Sequence, residues 1–208
     1  MAEIDYPASL SIDFPEEKRN RLTCVFRIFM VIPIAIIIAL LVGGNGSWSE
    51  GGWSVALGAV GGLIFLPLLL MILFRKKYPE WWFNWNLALT RFLYRVSSYF
   101  WLLRDEYPST DEEQAVHLEM KYPDAQTELM RGMPIVKWFL AIPHYIVLYC
   151  LYIAVLVVSI IAWFAILFTG NYPKGMWEFV VSVMRWSLRV SAYAFLLITD
   201  KYPPFSLE

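Results

Sequence analysis

Four arginines on two aromatic-rich segments are the side chains of this sequence best suited to binding a charged group. Arg91 and Arg95 lie four residues apart, and Arg185 and Arg189 repeat this spacing in a second segment. Residues four apart share one face of an α-helix, so each segment presents two guanidinium groups together. Because a guanidinium binds phosphate through two parallel hydrogen bonds, the four arginines are candidate ligands for an anionic lipid headgroup or solute.

Two interpretations of these arginines are open. In one, the two pairs form a pseudo-symmetric pocket that holds a single anionic headgroup or solute. In the other, which we favour, they anchor the chain to lipid phosphates or form ion pairs that close the fold. The candidate carboxylate partners for such ion pairs are Asp105, Asp200 and Glu178.

His144 is the other polar residue with a candidate role. It follows Ile142-Pro143 near the start of a long apolar segment, where a histidine could relay protons or ligate a cofactor. The more common role is a hydrogen bond to a neighbouring group at the membrane interface, and we favour that role. With two histidines and two cysteines in the chain, we expect no metal site, no cofactor and no catalytic constellation, and therefore no enzyme activity.

The amino-acid composition indicates that these residues are carried by membrane-embedded elements. Hydrophobic residues make up 59% of the 208 residues and charged residues 17%, against roughly 45–50% and about 25% in soluble domains. The chain contains 10 Trp, 12 Tyr and 14 Phe, and aromatic residues gather at membrane interfaces. The net charge of −1 argues against nucleic-acid binding. We therefore predict an integral membrane protein whose partners are lipids, with a homo-oligomer or a larger membrane complex as further options.

Two apolar segments in the first half are each long enough for one crossing. They are residues 28–42, extended back past Arg27, and residues 55–74, and Arg27 is expected to reach the headgroups. Basic residues precede the first segment and follow the second, whereas the Gly-rich loop between them carries one charge, Glu50. The positive-inside rule then places the N-terminus in the cytoplasm.

The third apolar segment, residues 138–168, allows two topologies. It has no charged residue and is short for two crossings but long for one. One topology is a single tilted helix kinked near Pro143, and the other is a shallow hairpin that turns back before the far side. We favour the hairpin, because it keeps Lys137 and Lys174, which flank the segment, on the cytoplasmic side.

An internal repeat also favours the hairpin. An offset of 94 residues superimposes the two arginine pairs and the Tyr-Pro dipeptides that precede them. Further upstream, an offset of 110 aligns Ile32-Pro33 with Ile142-Pro143, so the second copy is shorter where the first has its Gly-rich loop. Residues 9–14 and 115–120 both alternate apolar and polar side chains, as half-buried strands do.

The predicted fold is mainly α and integral to the membrane, with tandem repeats over residues 1–108 and 109–208. Each repeat is expected to contain a short β-strand, an apolar helical hairpin and an amphipathic helix, and one long helix is the alternative to the second hairpin. The arginines near the middle of the amphipathic helices would cost about 2.5–3.5 kcal/mol each at the centre of a bilayer. We therefore expect these helices to lie in the cytoplasmic interface.

Four motifs are spread over most of the chain. They are Tyr-Pro-x-x-Leu-x-Ile-Asp from Tyr6, Ile-Pro-His at 142–144, Leu-Phe-Thr-Gly-x-Tyr-Pro at 167–173, and the arginine-rich stretch 185–205. In this combination the chain resembles a bacterial family of multi-pass membrane proteins catalogued only as a domain of unknown function. The resemblance implies a bacterial inner-membrane location and brings no catalytic residues. The first half departs from the motifs, since Ile34 stands where the second half has a histidine.

These observations favour a non-enzymatic membrane protein that organises lipid or scaffolds a membrane complex. Hairpins and interfacial helices of unequal length displace more lipid from one leaflet than from the other. The alternative is a small oligomeric transporter, channel or lipid-handling protein in which the two repeats frame a pathway. The lack of polar residues within the apolar segments argues against transport. A membrane-embedded transferase is least favoured, because no acidic metal cluster is visible in the sequence.

Overall fold

The computed structural model describes residues 6–15, 18–42, 68–110 and 112–207. This part of the chain is mainly helical and contains a two-stranded sheet, so the prediction of a mainly α fold is confirmed. The Gly-rich loop and most of the predicted second apolar segment, up to residue 67, lie outside the described residues.

The two strands predicted from alternation are present and pair with each other. β1 (Ala8–Ile12) and β2 (Val116–Met120) run antiparallel, with Leu10 opposite Leu118. Alternate residues of each strand are buried, so one face of the sheet packs on the helices and the other is exposed. The exposed face carries Ser9, Ser11, His117 and Glu119.

The described helices lie on one side of this sheet. In chain order they are α1 (Arg21–Val42), a π-helical turn (Met71–Arg75), α2 (Glu80–Phe100), α3 (Met133–Leu140), α4 (Ile142–Thr169) and α5 (Lys174–Ala194). The amphipathic helices α2 and α5 both begin directly after a Tyr-Pro dipeptide, with Pro79 and Pro173 as their N-caps. A proline disfavours helical backbone at the residue before it, so a Tyr-Pro dipeptide defines where each helix begins.

The hairpin predicted for residues 138–168 is wrong, because α4 is one uninterrupted helix that follows the short α3. Pro143 lies in the first turn of α4, where its missing N–H costs no hydrogen bond. No further proline or glycine occurs before Gly170, which ends the helix in left-handed backbone with φ of 77°. The alternative, one long tilted helix kinked near Pro143, agrees with the structure in its helical conformation, with a break at Ala141 between α3 and α4.

The sheet and the helices form three layers. α5 packs against β1 on one side and α4 on the other, while α2 packs against β2 and α1. α1 also contacts α4, so these two apolar helices lie on the side opposite the sheet. The main buried apolar cluster runs through all three layers, from Leu10 and Leu118 through Leu188 to Val155.

α4 is long and apolar enough to cross a membrane, by its length and composition. Within the described ranges, α1 is a second such segment if its two parts, Arg21–Arg27 and Phe29–Ile38, which meet at 51°, form one span. Only 22% of the most apolar stretch of α4 is buried. Most of this helix therefore faces outward from the protein.

Candidate functional site

Two of the candidate arginines join the amphipathic helices to the sheet. The Nε of Arg91, in α2, donates a hydrogen bond of 2.9 Å to the carbonyl oxygen of Leu118 in β2. The Nε of Arg185, in α5, donates one of 2.8 Å to the carbonyl oxygen of Leu10 in β1. Because Leu10 and Leu118 are directly opposite each other in the sheet, the two arginines hold its centre from two helices.

The other two candidate arginines hold the chain segments that follow the helices. Arg95 Nη1 donates a hydrogen bond of 2.8 Å to the carbonyl oxygen of Ser109, and Arg189 Nη2 donates one of 2.6 Å to that of Ser206. Arg189 is 4% exposed, and this burial lowers the pKa of its guanidinium. Each arginine pair thus fastens its helix both to the sheet and to the segment beyond the helix.

The carboxylates that we considered as partners of these arginines pair with other cations. The observed pairs are Asp105 with Arg19 and Arg27, Asp200 with Lys137, and Glu178 with Lys174. In the described part of the chain, the four candidate arginines bind backbone carbonyls and form no ion pair. Binding of an anionic headgroup by these arginines stays a prediction.

A first buried ion-pair cluster joins the start of α1 to the end of α2. Asp105 accepts a hydrogen bond from Arg27, and Arg19 Nη1 lies 3.2 Å from Asp105 Oδ1. Arg27 Cζ lies 4.4 Å from the centroid of the Tyr99 ring. Both arginine side chains are 4% exposed, and that of Asp105 is 30% exposed. Arg27 is therefore buried within the protein, and our expectation that it reaches the headgroups is wrong.

A second buried ion-pair cluster joins α3 to the end of α5. Lys137 Nζ lies 2.7 Å from Asp200 Oδ1 and donates a hydrogen bond of 2.7 Å to the carbonyl oxygen of Thr199. The same ammonium lies 5.2 Å from the centroid of the Tyr193 ring. The Lys137 side chain is fully buried, and burial lowers its pKa while the neighbouring Asp200 carboxylate raises it.

The two clusters occupy corresponding positions in the two halves of the sequence. The offset of 110 that aligns the apolar segments also superimposes Arg27 on Lys137. After α2 and α5, one leucine adopts left-handed backbone, Leu102 with φ of 64° and Leu197 with φ of 53°. This conformation turns the chain back toward the cation. Our sequence reasoning missed both clusters, although the alignment of a cation with a cation at this offset was a signal that could have revealed them.

His144 is fully buried among aromatic side chains. Its Nδ1 accepts a hydrogen bond of 3.1 Å from the indole Nε1 of Trp186, so the neutral ring carries its proton on Nε2. Phe205 stacks on the imidazole with 4.0 Å between ring centroids, and Tyr202 lies at 4.8 Å. These contacts fasten the C-terminal segment to the first turn of α4.

A cavity of about 470 Å³ lies between α1, α2, α4 and α5. The described residues of its wall combine aliphatic and aromatic side chains with hydroxyl groups and include no charged side chain. The hydroxyl groups belong to Tyr94, Ser97, Tyr152, Ser187 and Ser191. An uncharged cavity of this size is typical of a site for a mostly apolar small ligand. Among the described residues, no group of three or more His, Cys, Asp or Glu side chains could hold a metal ion.

One family model matches part of the second half of the chain. The model of the family described as "Domain of unknown function (DUF4389)" matches residues 134–206. The matched residues include α4, α5 and the C-terminal segment, and with them the second ion-pair cluster, His144, Arg185 and Arg189. No curated protein and no solved structure matches the chain. The match is a similarity over about a third of the chain, and its description gives no activity.

Proposed function

We propose that the chain is an integral membrane protein that organises lipid or scaffolds a membrane complex without catalysing a reaction. The observation that carries this proposal is the exposed apolar half of α4. Large side chains are exposed all along this helix, among them Ile146 (63%), Ile153 (50%), Phe164 (49%) and Phe168 (78%). Lipid tails solvate a continuous apolar surface of this length, whereas water-soluble proteins rarely expose one.

The outer face of the sheet supports an orientation with this face in water. The exposed residues of this face are Ser9, Ser11, His117 and Glu119. At one end of the strands, Asp13 Oδ2 lies 3.3 Å from His117 Nε2. A sheet with one apolar and one polar face is typical of a sheet that is solvated on one side. The apolar helices and the polar sheet are on opposite sides of α2 and α5, as expected for a protein embedded on one side only.

We further infer that residues 1–108 and 109–208 are two repeats related by an approximate two-fold axis through the sheet. Exchanged contacts support this relation, because the arginine of each amphipathic helix binds the strand of the other half, at Leu118 and Leu10. Each half also contains a buried cation paired with an aspartate. Antiparallel pairing of equivalent strands is the arrangement that a two-fold axis between repeats produces.

The proposal includes a bacterial inner-membrane location with a cytoplasmic N-terminus and crossings by residues 28–42 and 55–74. Exposed basic residues support this orientation: Lys18 and Arg21 precede the first segment, and Arg75 and Lys77 follow the second. Such an excess of cations beside apolar segments is typical of the cytoplasmic side.

Charged substitutions on the exposed side of α4 test membrane embedding. Ile153→Lys combined with Ile160→Lys should reduce the fraction of protein that resists alkaline extraction from membranes, because a lysine in hydrocarbon costs up to about 2.5–3.5 kcal/mol. Ser11→Lys, on the exposed sheet face, is the matched control and should leave this fraction unchanged. A wild-type chain that is monodisperse in buffer without detergent would contradict the proposal.

Reconstitution tests the lipid-organising part of the proposal. Vesicles that carry the protein should become smaller or more tubular than protein-free vesicles when imaged by electron cryo-microscopy. The effect should grow with the protein-to-lipid ratio. Vesicles of unchanged size and shape at high protein density would leave scaffolding as the only role within this proposal.

The cavity favours a second function, the handling of an uncharged lipid. Its mixed wall of aromatic, aliphatic and hydroxyl groups suits a chain or ring that carries one hydroxyl or carbonyl. Wild-type protein should retain a neutral lipid in native mass spectrometry, and Ser187→Phe should fill part of the cavity and abolish this retention. Ser182→Phe, on α5 outside the cavity wall, is the control. Equal lipid retention in both variants would rule out this function.

A further inference from the structure

α4 and α5 lie side by side over the whole length of α5. A short loop, residues 170–173, joins them at one end. At the other end, Tyr145 in the first turn of α4 packs against the buried cluster of Ala141, Tyr193 and Ala194. Trp138 Nε1, in the preceding α3, donates a hydrogen bond of 2.9 Å to the carbonyl oxygen of Ala194. Because the two helices meet at both ends of the 21-residue α5, their axes are close to antiparallel over about 30 Å.

The sheet lies over the middle of α5, on the side opposite α4. Arg185, near the middle of α5, binds Leu10 at the centre of β1. The outer face of this sheet is polar, with Glu119 and His117 exposed. Within the described residues each strand pairs with the other on one side only. Arg185 and Arg91 bind the outward carbonyl oxygens of Leu10 and Leu118, and the remaining backbone groups of both outer edges need water or another partner.

A crossing of the bilayer by α4 conflicts with this arrangement. A helix that ran from one surface to the other would carry the antiparallel α5 with it, and the middle of the sheet would reach the centre of the hydrocarbon. Glu119 and the edge groups of the two strands that no arginine binds would then lose their contact with water. Charged side chains and unpaired backbone groups are both unfavourable at that depth.

We propose that α4 lies within a single leaflet, roughly parallel to the membrane plane, and that its partner is the lipid of that leaflet. This inference rests on the proposed membrane embedding and concerns α4 alone, because residues 28–42, beyond the 51° bend of α1, and residues 55–74 are the segments proposed to cross. The exposed half of α4 contacts acyl chains, α5 lies nearer the headgroups, and the sheet is in water. The length of α4 then serves to cover lipid along one leaflet and not to reach the opposite surface.

Exposed cations at both ends of α4 fit this placement. Arg21 donates a hydrogen bond of 3.3 Å to the carbonyl oxygen of Phe168, and the exposed Lys174 follows the same end of the helix. Arg131, also exposed, precedes α3 at the other end. In one leaflet these cations reach a single layer of anionic headgroups, whereas a crossing would place them at opposite surfaces.

Depth measurements along α4 test the placement in the full-length chain. Single cysteines replace exposed residues in a background of Cys24→Ala and Cys150→Ser, and each is labelled with an environment-sensitive fluorophore in phosphatidylcholine and phosphatidylglycerol vesicles. The labelled positions are Ile146, Ile153, Ile160 and Phe168. Nitroxide lipids labelled near the headgroup or near the chain end then report the depth of each probe.

The expected result is the same ratio of shallow to deep quenching at all four positions. If the probes at Ile153 and Ile160 lie deepest and those at Ile146 and Phe168 lie near the headgroups, α4 crosses the bilayer. This result would overturn the inference and leave the proposed membrane function intact. Quenching of all four probes by aqueous iodide would overturn both. A probe at Ser11→Cys on the sheet should be quenched by iodide, and a Ser11 probe shielded by lipid would also overturn the inference.

Discussion

The two buried ion-pair clusters correspond in position but differ in the number of cations that face the carboxylate. Asp105 faces two arginines, Arg19 and Arg27, and its side chain is 30% exposed. Asp200 faces Lys137, which is fully buried, and its own side chain is 14% exposed. The carboxylate of the first cluster is therefore shared between two cations and partly solvated. In the described residues, Asp200 pairs with the single buried cation Lys137 and accepts a hydrogen bond of 2.7 Å from the backbone N–H of Met130.

The difference shows how one arrangement can be built with two kinds of cation. A guanidinium has five donors in a plane, so Arg27 and Arg19 reach the backbone oxygens of Tyr99 and Leu102 as well as the carboxylate. An ammonium is a compact charge, and Lys137 divides its donors between Asp200 and the carbonyl oxygen of Thr199. Loss of one cation should therefore lower the free energy of unfolding more in the second cluster than in the first.

The largest effect is expected from Lys137→Met. Removal of one partner from a buried ion pair leaves the other uncompensated, which typically costs about 3–5 kcal/mol. The free energy of unfolding in detergent, followed by tryptophan fluorescence, should fall by this amount. The double variant Lys137→Met with Asp200→Leu should recover most of the loss, because an apolar pair of similar volume often replaces a buried ion pair without penalty. If Lys137→Met has the same free energy of unfolding as the wild type, the buried ion pair does not stabilise the fold.

Arg27→Met, at the corresponding position, should cost less. Asp105 keeps Arg19, 3.2 Å away, so its charge stays compensated. The variant loses charge-assisted hydrogen bonds and the contact with the Tyr99 ring, for an expected decrease of about 2–3 kcal/mol in the free energy of unfolding. If Arg27→Met lowers the free energy of unfolding as much as Lys137→Met does, Arg19 does not compensate the charge of Asp105.

The sequence predicted those parts of the fold that depend on local patterns. The alternation around Leu10 and Leu118 predicted both strands, and the spacing of Arg91 and Arg95 predicted a helix that presents them on one face. These features follow from the period of a strand or of a helix and need no knowledge of distant residues. The helix starts after Tyr-Pro likewise follow from the steric effect of proline.

The parts that were missed depend on contacts between distant residues. Arg27 lies next to Asp105 only after the chain has folded, so an arginine beside an apolar segment was interpreted as a residue that reaches the headgroups. The partners of Arg91 and Arg185 are backbone carbonyls, which leave no mark in the sequence. The hairpin in residues 138–168 was favoured from the internal repeat and the sidedness of charges, although that segment contains no proline or glycine after Pro143.

Arg189→Met should have a smaller effect than Arg27→Met, and Arg95→Met a smaller one still. Arg189 is buried at 4% exposure and binds Ser206, so its loss should cost about 1.5–2 kcal/mol. Arg95 is only half-buried, and water can replace it at Ser109, so about 1 kcal/mol or less is expected. Urea titration in detergent measures both values, and the reverse order would contradict the ranking by burial.

The smallest expected effects concern the two arginines that hold the sheet. Arg185→Gln should lower the free energy of unfolding by about 1 kcal/mol and Arg91→Gln by about 0.5 kcal/mol, because Arg185 is half-buried while Arg91 is exposed. Each substitution removes a donor to one strand, Leu10 or Leu118, so amide hydrogen exchange should accelerate in both paired strands and little elsewhere.

Lipid retention separates this structural role from the binding of a headgroup. If Arg185 and Arg189 bind only backbone carbonyls, the double variant Arg185→Gln with Arg189→Gln should show faster amide hydrogen exchange in the two strands. Its phospholipid retention in native mass spectrometry should be unchanged. A specific loss of anionic phospholipid would instead show that these arginines also reach a headgroup. Arg91 and Arg95 in the other half provide the comparison, since a pocket shared by both halves should lose the same lipid when either pair is replaced.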